Sequence, residues 1–387
     1  MKPIKKISFY IFMFVLILGT AEICANIFFH YTKDRFTFHD FSDYLLDPEI
    51  IPNLKNGWDF DLGWTNTYKT EYGERPRPVI YKENLMSTFG DSFTHCDQVN
   101  HDETWQTYLS ERVGENVFNF GVGGYGTGQA YLRYKRISPK IKTPIVTLAL
   151  LEENLSRVAN VYRKFYFPKT GGPLTKPRFT LDEKGRLKLL ANPIKNPDEL
   201  IKLSRQSFLD KIGKNDFWYN QKDYPIFSFP FLKIFFNKRF WLEVKYIKGD
   251  NRIDDMVARP AYLKDIWSSP EADVMFAIFD AFVKDVRDSG ATPIIMIIPT
   301  KYDAVNYFTN KQNQHNIRKI IAYCKKKNYL VFDAVKGLAR NAKSMDDVKS
   351  YYRGHVSPLG NKLIGQAFFE FLAQNGLAPT KKAITSR

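Results

Sequence analysis

A serine in a short polar turn is the first candidate for chemistry in this chain. Ser92 lies in "STFGDSFTHCD", residues 87–97, directly after a short apolar run. The Gly-Asp-Ser tripeptide is weak evidence alone, because Asp and Ser in a turn also cap helices. A serine hydroxyl attacks a carbonyl carbon only when a base takes its proton and hydrogen-bond donors stabilise the oxyanion. Ser92 therefore needs an imidazole and further donors from other parts of the chain.

One of the six histidines is placed to serve as that base. His355 lies in "YYRGHVSPLGN", residues 351–361, a loop bounded by Gly and Pro just after the last predicted strand region. In a parallel sheet, ligands gather beyond the carboxyl ends of the strands, and Ser92 also follows a strand. The other five histidines are predicted to be structural or solvated: His30, His39, His95, His101 and His315.

Two further loops carry candidate oxyanion donors. "NFGVGGYGTGQ", residues 119–129, is rich in glycine, which allows the backbone to approach a ligand closely. "LLEENLSR", residues 150–157, places Asn154 after another predicted strand, where it is either an amide donor or the N-cap of a helix. The four loops together supply a serine, a backbone N–H site, an amide and an imidazole along one edge of a sheet.

Alternating strands and helices must bring these loops together. Short apolar runs bounded by turn residues alternate with segments whose apolar residues are three and four apart, which is typical of an α/β fold with a parallel sheet. The predicted strands are 85–89, 116–120, 144–151, 293–299 and 329–334. Helices are predicted at 105–113, at 276–286 with Gly290 as the stop signal, and at about 358–374. These elements form a predicted α/β domain of residues 84–160 and 272–375, flanked by an extension, 31–83, and a tail, 376–387.

A long basic segment interrupts the alternation. Residues 161–271 are far longer than the usual βα connection of about two to six residues, which predicts an inserted subdomain or lid. Residues 160–270 hold 22 Lys and Arg against 12 Asp and Glu, a net charge of +10. Within them, "FSFPFLKIFFNKRFW", residues 227–241, is strongly aromatic. This stretch is either a small local core with snorkelling basic side chains, or a surface that stacks on sugar rings or enters the membrane interface.

The first thirty residues predict passage across a membrane. Lysines near the N-terminus precede an apolar run, residues 8–29, whose only charged residue is Glu22. At about 1.5 Å per residue this run spans a bilayer core of roughly 30 Å. The leading positive charge predicts a cytoplasmic N-terminus and export of the remainder. Residues 1–30 are therefore an uncleaved signal-anchor or, because "GTA" at 19–21 offers small residues, a cleaved signal peptide.

The composition limits the partners and cofactors. Lys and Arg number 57 against 41 Asp and Glu, so the net charge of +16 favours anionic partners such as acidic glycans or lipid headgroups. Export disfavours nucleic acid as a partner in spite of this charge. Three cysteines are too few for a disulfide scaffold, although one Cys96–Cys324 bridge is compatible with an oxidising compartment. His95, Cys96 and His101 lack the usual spacing of a zinc site, and neither a metal nor a cofactor is predicted.

The four loops together resemble the SGNH hydrolases, also called the GDSL esterase and lipase family. "GDSFT" resembles the first block with Ser92 as nucleophile, "GVGGYGT" the second with Gly124 as oxyanion donor, "EENL" the third with Asn154 as the other donor, and "GHVSPLGN" the last with His355 as base. The resemblance covers the predicted α/β domain and not the insertion. It implies a flavodoxin-like three-layer α/β/α fold with a parallel five-stranded sheet, and hydrolysis or transfer of ester-linked acyl groups without a cofactor.

The chain departs from the pattern of that family at two places. The third block usually reads Gly-x-Asn-Asp, whereas Glu152 and Leu155 stand at its glycine and aspartate positions. The orienting aspartate normally lies two or three residues before the histidine, where this chain has Arg353 and Tyr352. A carboxylate at that place fixes the imidazole tautomer and stabilises the imidazolium, so its absence bears directly on activity.

Three interpretations of the missing acid stay open. Ser92 and His355 form a dyad in which a backbone carbonyl orients the imidazole. Alternatively, a distant acid such as Asp346 or Asp347 reaches the site. In the third interpretation the site is catalytically silent.

The sequence thus predicts a membrane-tethered, exported serine esterase. The tether and the basic insertion indicate acylated carbohydrate as the substrate, in particular O-acetyl groups of a cell-surface glycan. Asp91 and Arg353, which neighbour the nucleophile and the base, are the predicted substrate-binding residues. Two alternatives are an O-acyltransferase with a sugar hydroxyl as acceptor, and a catalytically silent glycan-binding scaffold.

Overall fold

The computed structural model describes most of the chain. The described residues are 3–32, 41–168, 170–219, 228–237, 240, 241, 244, 245, 267 and 269–379. His39, Lys238, Arg239 and the tail beyond residue 379 lie outside the described residues, and so do the predictions that concern them.

Five parallel strands form the central sheet. They are β1 (Asn84–Phe89), β2 (Asn116–Asn119), β3 (Ile145–Leu150), β4 (Thr292–Ile297) and β5 (Leu330–Asp333). Their order across the sheet is β2-β1-β3-β4-β5. Each neighbouring pair is parallel, with Thr88 of β1 opposite Asn119 on one side and Thr147 on the other. This is the flavodoxin-like doubly wound order, and it confirms the predicted α/β fold class and all five predicted strands.

Helices cover both faces of the sheet and give the domain three layers. The longer helices are α1 (Pro3–Thr32), α2 (Trp105–Val113), α3 (Thr127–Ile137), α4 (Glu271–Asp288), α5 (Lys301–Asn310), α6 (His315–Lys326), α7 (Ala334–Asn341) and α8 (Pro358–Gln374). The shorter helices include Ile51–Lys55, Ser92–His95, Asn154–Val158, Arg163–Tyr166, Gln206–Gly213 and Met345–Ser350. Helices α3, α4 and α6 share one hydrophobic cluster with the sheet, and α2, α7 and α8 share the other.

The burial of β4 explains why the strands are continuous apolar runs in the sequence. Ile295 and Ile297 belong to the hydrophobic cluster on one face of the sheet, whereas Ile294 and Met296 belong to the cluster on the other. Successive side chains of a strand point to opposite faces, so a strand covered on both sides needs apolar residues at every position. Helix α4 precedes this strand and ends at Asp288, followed by Gly290 with a φ of 83°. That left-handed conformation confirms the predicted stop signal.

The N-terminal extension and the insertion each add a small hairpin to this domain. In the extension Trp58–Asp59 pairs with Gly63–Trp64, and in the insertion Arg178–Leu181 pairs with Leu187–Leu190. The insertion also buries Leu209 in the hydrophobic cluster of α3 and α4. The described insertion residues therefore extend the core on that face, while the division of the chain into the predicted segments stays a prediction.

Within the residues that the structure describes, one helix is long and apolar enough to cross a membrane. The qualifying part of α1 is Lys6–Thr32, and most of its side chains are exposed. An N-terminal helix of this kind is either a membrane anchor or a signal sequence, which are the two interpretations drawn from the sequence.

The cysteines are free in this structure. Cys96 lies in the hydrophobic cluster on the α2 and α8 face of the sheet, whereas Cys324 lies in the cluster on the α3 and α4 face. The Cys96–Cys324 bridge that the sequence left open therefore does not form, because the sheet separates the two thiols.

Candidate active site

The turn that holds Ser92 is built outward from β1. Gly90 follows the strand and passes so close to β3 that a Cβ there would lie 2.6 Å from the Ala149 carbonyl oxygen. Asp91 then caps the short helix that begins at Ser92, and its carboxylate accepts a 2.9 Å hydrogen bond from the Phe93 backbone N–H. Ser92 is thus held at the carboxyl end of the sheet, at the first position of a helix.

Three of the predicted site residues line one cleft of about 610 Å³: Ser92, Gly124 and His355. Ser92 follows β1, Gly124 belongs to the loop after β2, and His355 precedes α8. The extension contributes Trp64 to the wall of the cleft, and the insertion contributes Arg163. The structure therefore brings together parts of the chain that are more than two hundred residues apart.

The glycine-rich loop after β2 is fastened to the N-terminal extension. Trp64 Nε1 donates a 2.9 Å hydrogen bond to the Gly123 carbonyl oxygen, and Asn66 Nδ2 donates one of 3.0 Å to Gly121. Gly124 has a φ of 77°, in the left-handed region that favours glycine. The Arg163 guanidinium also packs directly on Gly124, in the space that a Cβ would occupy. The positive φ favours glycine at this position, whereas the Arg163 guanidinium is the end of a flexible side chain and could move aside.

Asn154 is buried at the start of the short helix after β3 and is not among the described residues that line the cleft. Glu153 occupies the N-cap position of that helix, so the alternative that Asn154 is the N-cap is not observed. The Asn154 side chain instead donates a 2.5 Å hydrogen bond from Nδ2 to Asp91 Oδ2. An amide nitrogen carries two N–H groups, so this bond uses one and fixes the plane of the other.

Asp91 is a buried connection between loops rather than a wall of the cleft. Its side chain is 1% exposed, and it accepts hydrogen bonds from the Phe93 backbone and the Asn154 amide. Arg157 Nη1 lies 3.4 Å from the same carboxylate. Burial raises the pKa of Asp91, while Arg157 and Asn154 act in the opposite direction. The predicted substrate-binding residue Asp91 is therefore buried and is not among the described residues that line the cleft.

Arg157 extends this connection to the loop after β2. Its Nη1 donates a 2.9 Å hydrogen bond to the Tyr125 carbonyl oxygen, and its Nη2 lies 2.9 Å from Glu153 Oε2. The guanidinium is nearly completely buried. Because it contacts Asp91 as well, Arg157 fixes the first three loops relative to one another.

His355 lies on a two-stranded hairpin of residues 352–356. Its backbone N–H donates a 3.0 Å hydrogen bond to Gln98 Oε1, and its ring lies 4.9 Å from the ring of Phe93, centroid to centroid. Both partners belong to the segment that follows Ser92, so the last loop is docked on the first. Arg353, the other predicted substrate-binding residue, is exposed and is not among the described residues that line the cleft.

The His355 imidazole has the protonation state that a general base needs. Burial lowers the pKa of His355 below its usual 6.5, in spite of the carboxylates of Asp97 and Asp91, which act in the opposite direction. A neutral imidazole at pH 7 is ready to accept a proton. Its Nδ1 is buried and has no hydrogen-bond partner within the described part of the chain. The orienting backbone carbonyl expected for a dyad is therefore not observed there.

Asp97 is an acid of this cleft that the sequence analysis did not single out. It lines the cleft together with His355 and is hydrogen-bonded to His95 Nδ1. Burial alone would raise the pKa of Asp97, but the hydrogen bond from His95 and the charges of His95 and His355 lower it. An ionised Asp97 favours the imidazolium form of His355 through its charge. The negative charge that favours the His355 imidazolium therefore comes from Asp97, in the loop that follows Ser92.

The two distant acids occupy other places. Asp347 accepts hydrogen bonds from the backbone N–H groups of Lys343 and Ser344 at the start of a short helix. Asp346 is exposed and lies 3.3 Å from Lys349 Nζ. The interpretation that one of them reaches His355 is not supported by these contacts.

The loop from His95 to His101 is organised by an arginine of the extension. Arg75 donates hydrogen bonds to the carbonyl oxygens of His95, Cys96 and Val99, at 2.6, 2.8 and 2.5 Å. Its Nε also donates to His101 Nδ1. These bonds position Asp97 and Gln98 within the loop. Among the described residues, no group of three His, Cys, Asp or Glu side chains could hold a metal ion.

A buried pair of acids lies beside Asn154. Glu152 and Asp303 are each 2% exposed. Burial, together with the Asp303 charge, raises the pKa of Glu152 to about 8, and burial also raises the pKa of Asp303, so the pair retains a proton above the usual range of a carboxyl group. Asn316 Nδ2 donates a 2.5 Å hydrogen bond to Glu152 Oε1, and Gln314 Nε2 donates one of 3.0 Å to Asp303. The residue at the usual glycine position of the third block is therefore one of two buried acids in a polar network.

Sequence reasoning missed several residues of the cleft. Asp97 lies only five residues after Ser92, so its place in the same turn was a usable signal. Arg157 lies one helical turn after Glu153 on the helix that follows β3, which also placed it near the edge of the sheet. Trp64 and Arg163 carried no such signal, because they belong to segments outside the strand and helix alternation.

No family model matches the chain, and no curated protein matches it. A lipolytic protein of the G-D-S-L family from Desulfitobacterium hafniense DCB-2 is similar at 15% identity and a TM-score of 0.35, over 75% of this chain and 100% of that one. A second G-D-S-L family protein, from Veillonella parvula DSM 2008, is similar at 10% identity and a TM-score of 0.36, over 75% and 98%. An acetylxylan esterase from Geobacillus stearothermophilus is similar at 13% identity and a TM-score of 0.32, over 76% and 95%. The likeness is one of overall arrangement, and it assigns no role to any residue of this chain.

Proposed function

We propose that this chain is a serine esterase of the SGNH type, tethered to a membrane by α1 and acting outside the cytoplasm on ester-linked acyl groups. The observation that carries the proposal is that Ser92, Gly124 and His355 come from three separate loops and line one cleft. A nucleophile, a backbone donor and a neutral imidazole are the groups that acyl transfer requires.

In the first step Ser92 Oγ attacks the carbonyl carbon of the ester, and His355 takes the hydroxyl proton. The carbonyl oxygen becomes an oxyanion, for which the backbone N–H groups of Ser92 and Gly124 and the second N–H of the Asn154 amide are the donors. The C–O bond to the alcohol then breaks, and His355 protonates the leaving oxygen. The product is an acyl group bound to Ser92.

In the second step a water molecule attacks the acyl carbon, and His355 takes one of its protons. The bond from the acyl carbon to Ser92 Oγ breaks, the serine recovers its proton from His355, and a carboxylic acid leaves. The imidazolium forms in both steps. Asp97 stabilises it through its charge, so the role proposed for Asp97 is electrostatic.

The proposed substrate is an acylated carbohydrate, with O-acetyl groups of a cell-surface glycan as the specific case. The walls of the cleft include the aromatic rings of Trp64 and Phe167 and the polar side chains of Asn53 and Thr65. A sugar ring has an apolar face, which stacks on aromatic rings, and hydroxyl groups, which hydrogen-bond to polar side chains. The tether would keep the cleft near the cell envelope, where such polymers occur.

Acetate release tests this proposal. The full-length chain would be incubated with p-nitrophenyl acetate and with an O-acetylated polysaccharide, with Ser92→Ala as the matched control. We expect acetate from the wild-type protein only. Acetyl groups that appear on an added sugar faster than free acetate would identify an O-acyltransferase at the same site. Neither release nor transfer from any ester would contradict the proposal and favour a glycan-binding scaffold.

A further inference from the structure

Glu22, the only charged residue of the apolar run 8–29 within α1, is hydrogen-bonded to a distant part of the chain. The Glu22 carboxylate accepts hydrogen bonds from the backbone N–H groups of Phe231 and Leu232, at 2.6 and 3.3 Å. A carboxylate within an apolar membrane helix is costly unless polar groups satisfy it. These two N–H groups satisfy the Glu22 carboxylate, so hydrogen bonds to Glu22 attach residues of the insertion to α1.

Aromatic packing extends this attachment toward the end of α1. The ring of Phe29 lies 5.4 Å from that of Phe235 and 5.9 Å from that of Phe240, and Phe29 is fully buried. Ala25 and Ile234 belong to the same small hydrophobic cluster. We call residues 228–237, together with Phe240 and Trp241, the aromatic segment. It packs along α1 from Glu22 to Phe29.

The position of this contact along α1 gives its depth in a bilayer. Phe29 is the last residue of the apolar run, and Glu22 lies seven residues before it. At 1.5 Å per residue this separation is about 10 Å along the helix axis. If α1 spans the bilayer, the aromatic segment therefore reaches about 10 Å below the surface from which the helix leaves, which is the usual depth of an interfacial element.

The outer surface of the aromatic segment is apolar and uncovered in the described part of the chain. Phe229, Phe236 and Trp241 are 75%, 89% and 56% exposed. Phe229 also lines a groove of about 600 Å³ between the segment and α1, together with Leu18 and Ile23 of the helix. Contiguous exposed apolar patches of this kind mark surfaces that are covered by a protein partner or by lipid.

We propose that the aromatic segment is a second membrane-contacting element, embedded in the leaflet from which α1 emerges and anchored there by Glu22. Lipid acyl chains cover Phe229, Phe236 and Trp241 and fill the groove against α1. Lys233 lies on the same segment, with its amine bonded to Ser228, and its charge suits the headgroup region. The proposal rests on α1 remaining as a membrane span and is independent of the esterase chemistry.

Fluorescence quenching in nanodiscs tests this placement. The full-length chain would be reconstituted with phosphatidylcholine brominated along the acyl chain, and the Trp241 emission would be obtained as the difference between the wild type and Trp241→Phe. We expect loss of most of the Trp241 emission in brominated lipid. The corresponding difference for Trp58→Phe, whose indole lies in the extension hairpin, is expected to show little loss.

A second pair of variants tests the anchor. Glu22→Leu removes the acceptor for the two N–H groups and should reduce the quenching of Trp241, whereas Glu22→Gln keeps an acceptor and should preserve it. Equal quenching in all three proteins would overturn the anchoring role of Glu22.

Trp241 emission that responds to a soluble polysaccharide and not to brominated lipid would overturn the proposal in favour of a sugar-binding surface. Removal of the first thirty residues during export would also overturn the proposal, because the remaining chain would not enter the nanodisc. Acetate release would still test the esterase function in that case.

Discussion

The side-chain amide of Asn154 donates a 2.5 Å hydrogen bond to the carboxylate of Asp91, the residue directly before Ser92. Both side chains are almost fully buried, and the same carboxylate lies 3.4 Å from Arg157 Nη1. A hydrogen bond in a buried place, where the effective dielectric constant is low, is stronger than one exposed to water. The loop after β3 and the turn of the serine therefore behave as one rigid unit, which is what a preorganised oxyanion site needs.

Replacing Asn154 tests its proposed role as a donor. Asn154→Ala removes the second amide N–H from the oxyanion, so kcat for p-nitrophenyl acetate should fall by about 10²–10³ with KM changed little. The matched control is Asn310→Ala, which alters an exposed asparagine on α5. Steady-state kinetics on proteins with equal thermal unfolding temperatures would measure the effect. A loss no larger than that of the control would show that Asn154 only supports the fold.

The pH dependence of kcat/KM should report the lowered pKa of His355. The neutral imidazole is the base, so kcat/KM rises as the pH passes through the pKa of His355. Because burial lowers this pKa, the acidic limb of the pH profile should lie below pH 6.5. The Asp97 carboxylate raises this pKa, so Asp97→Asn should move the limb to still lower pH while it lowers the rate. Asp346→Asn, which changes an exposed acid, should leave the profile unchanged. A limb that stays in place or moves upward in Asp97→Asn would contradict the proposed electrostatic contact.

The buried acid Glu152 should make the fold less stable as pH rises. Its pKa is about 8 in the folded chain against 4.5 for an unperturbed glutamate, so the folded state holds an extra proton between these values. Stability from this group is fully present below pH 4.5 and is lost as pH rises through about 8.

Glu152→Gln should remove that dependence, because glutamine stays uncharged and keeps an oxygen for the Asn316 amide. We expect the free energy of unfolding of the variant, measured with urea at several pH values, to exceed that of the wild type above pH 8. The exposed variant Glu183→Gln is the control. Parallel pH profiles for the wild type and Glu152→Gln would show that Glu152 is not protonated in the fold.

Gly90 should tolerate no side chain. A Cβ at this position would lie 2.0 Å from Thr94 Oγ1 and 2.6 Å from the Ala149 carbonyl oxygen, and the second of these atoms belongs to the backbone of β3. Gly90→Ala should therefore destabilise the domain by about 1–3 kcal/mol or more and displace Ser92. Gly171→Ala has open space around its Cβ and serves as the control. Equal unfolding temperatures for the two variants would contradict the close approach of β1 and β3.

The five strands of the sheet followed from the sequence because strands covered on both faces leave continuous apolar runs, whereas the flavodoxin-like fold was what the family resemblance implied. The same reasoning placed Ser92, Gly124 and His355 at one edge, since each follows a strand or precedes a helix of the alternation. Hydrophobic periodicity does not predict where Trp64 or Arg163 lies. Their segments reach the cleft through single contacts, such as the bond from Trp64 Nε1 to the Gly123 carbonyl, and contacts of that kind leave no repeating pattern.

The roles of Asp91 and Asp97 also depended on contacts that spacing does not reveal. Both were visible in the turn of Ser92, yet one carboxylate turns inward to Asn154 and the other lines the cleft with His355. Which way a side chain turns is decided by its hydrogen-bond partners, and these come from loops far away in the chain. The sequence shows that no acid stands two or three residues before His355, but its spacing did not indicate the nearby carboxylate of Asp97.

The most direct test of the account is the reaction of Ser92 with a fluorophosphonate probe. The full-length protein would be labelled at neutral pH, and the modified residue would be located by peptide mass spectrometry, with His355→Ala and Ser92→Ala as comparisons. The account predicts one adduct, on Ser92, whose rate of formation falls by about 10³ or more when His355 is removed. Labelling of Ser92 at equal rates with and without His355, or no labelling of Ser92 in the wild-type protein, would contradict the claim that these two residues form one catalytic site.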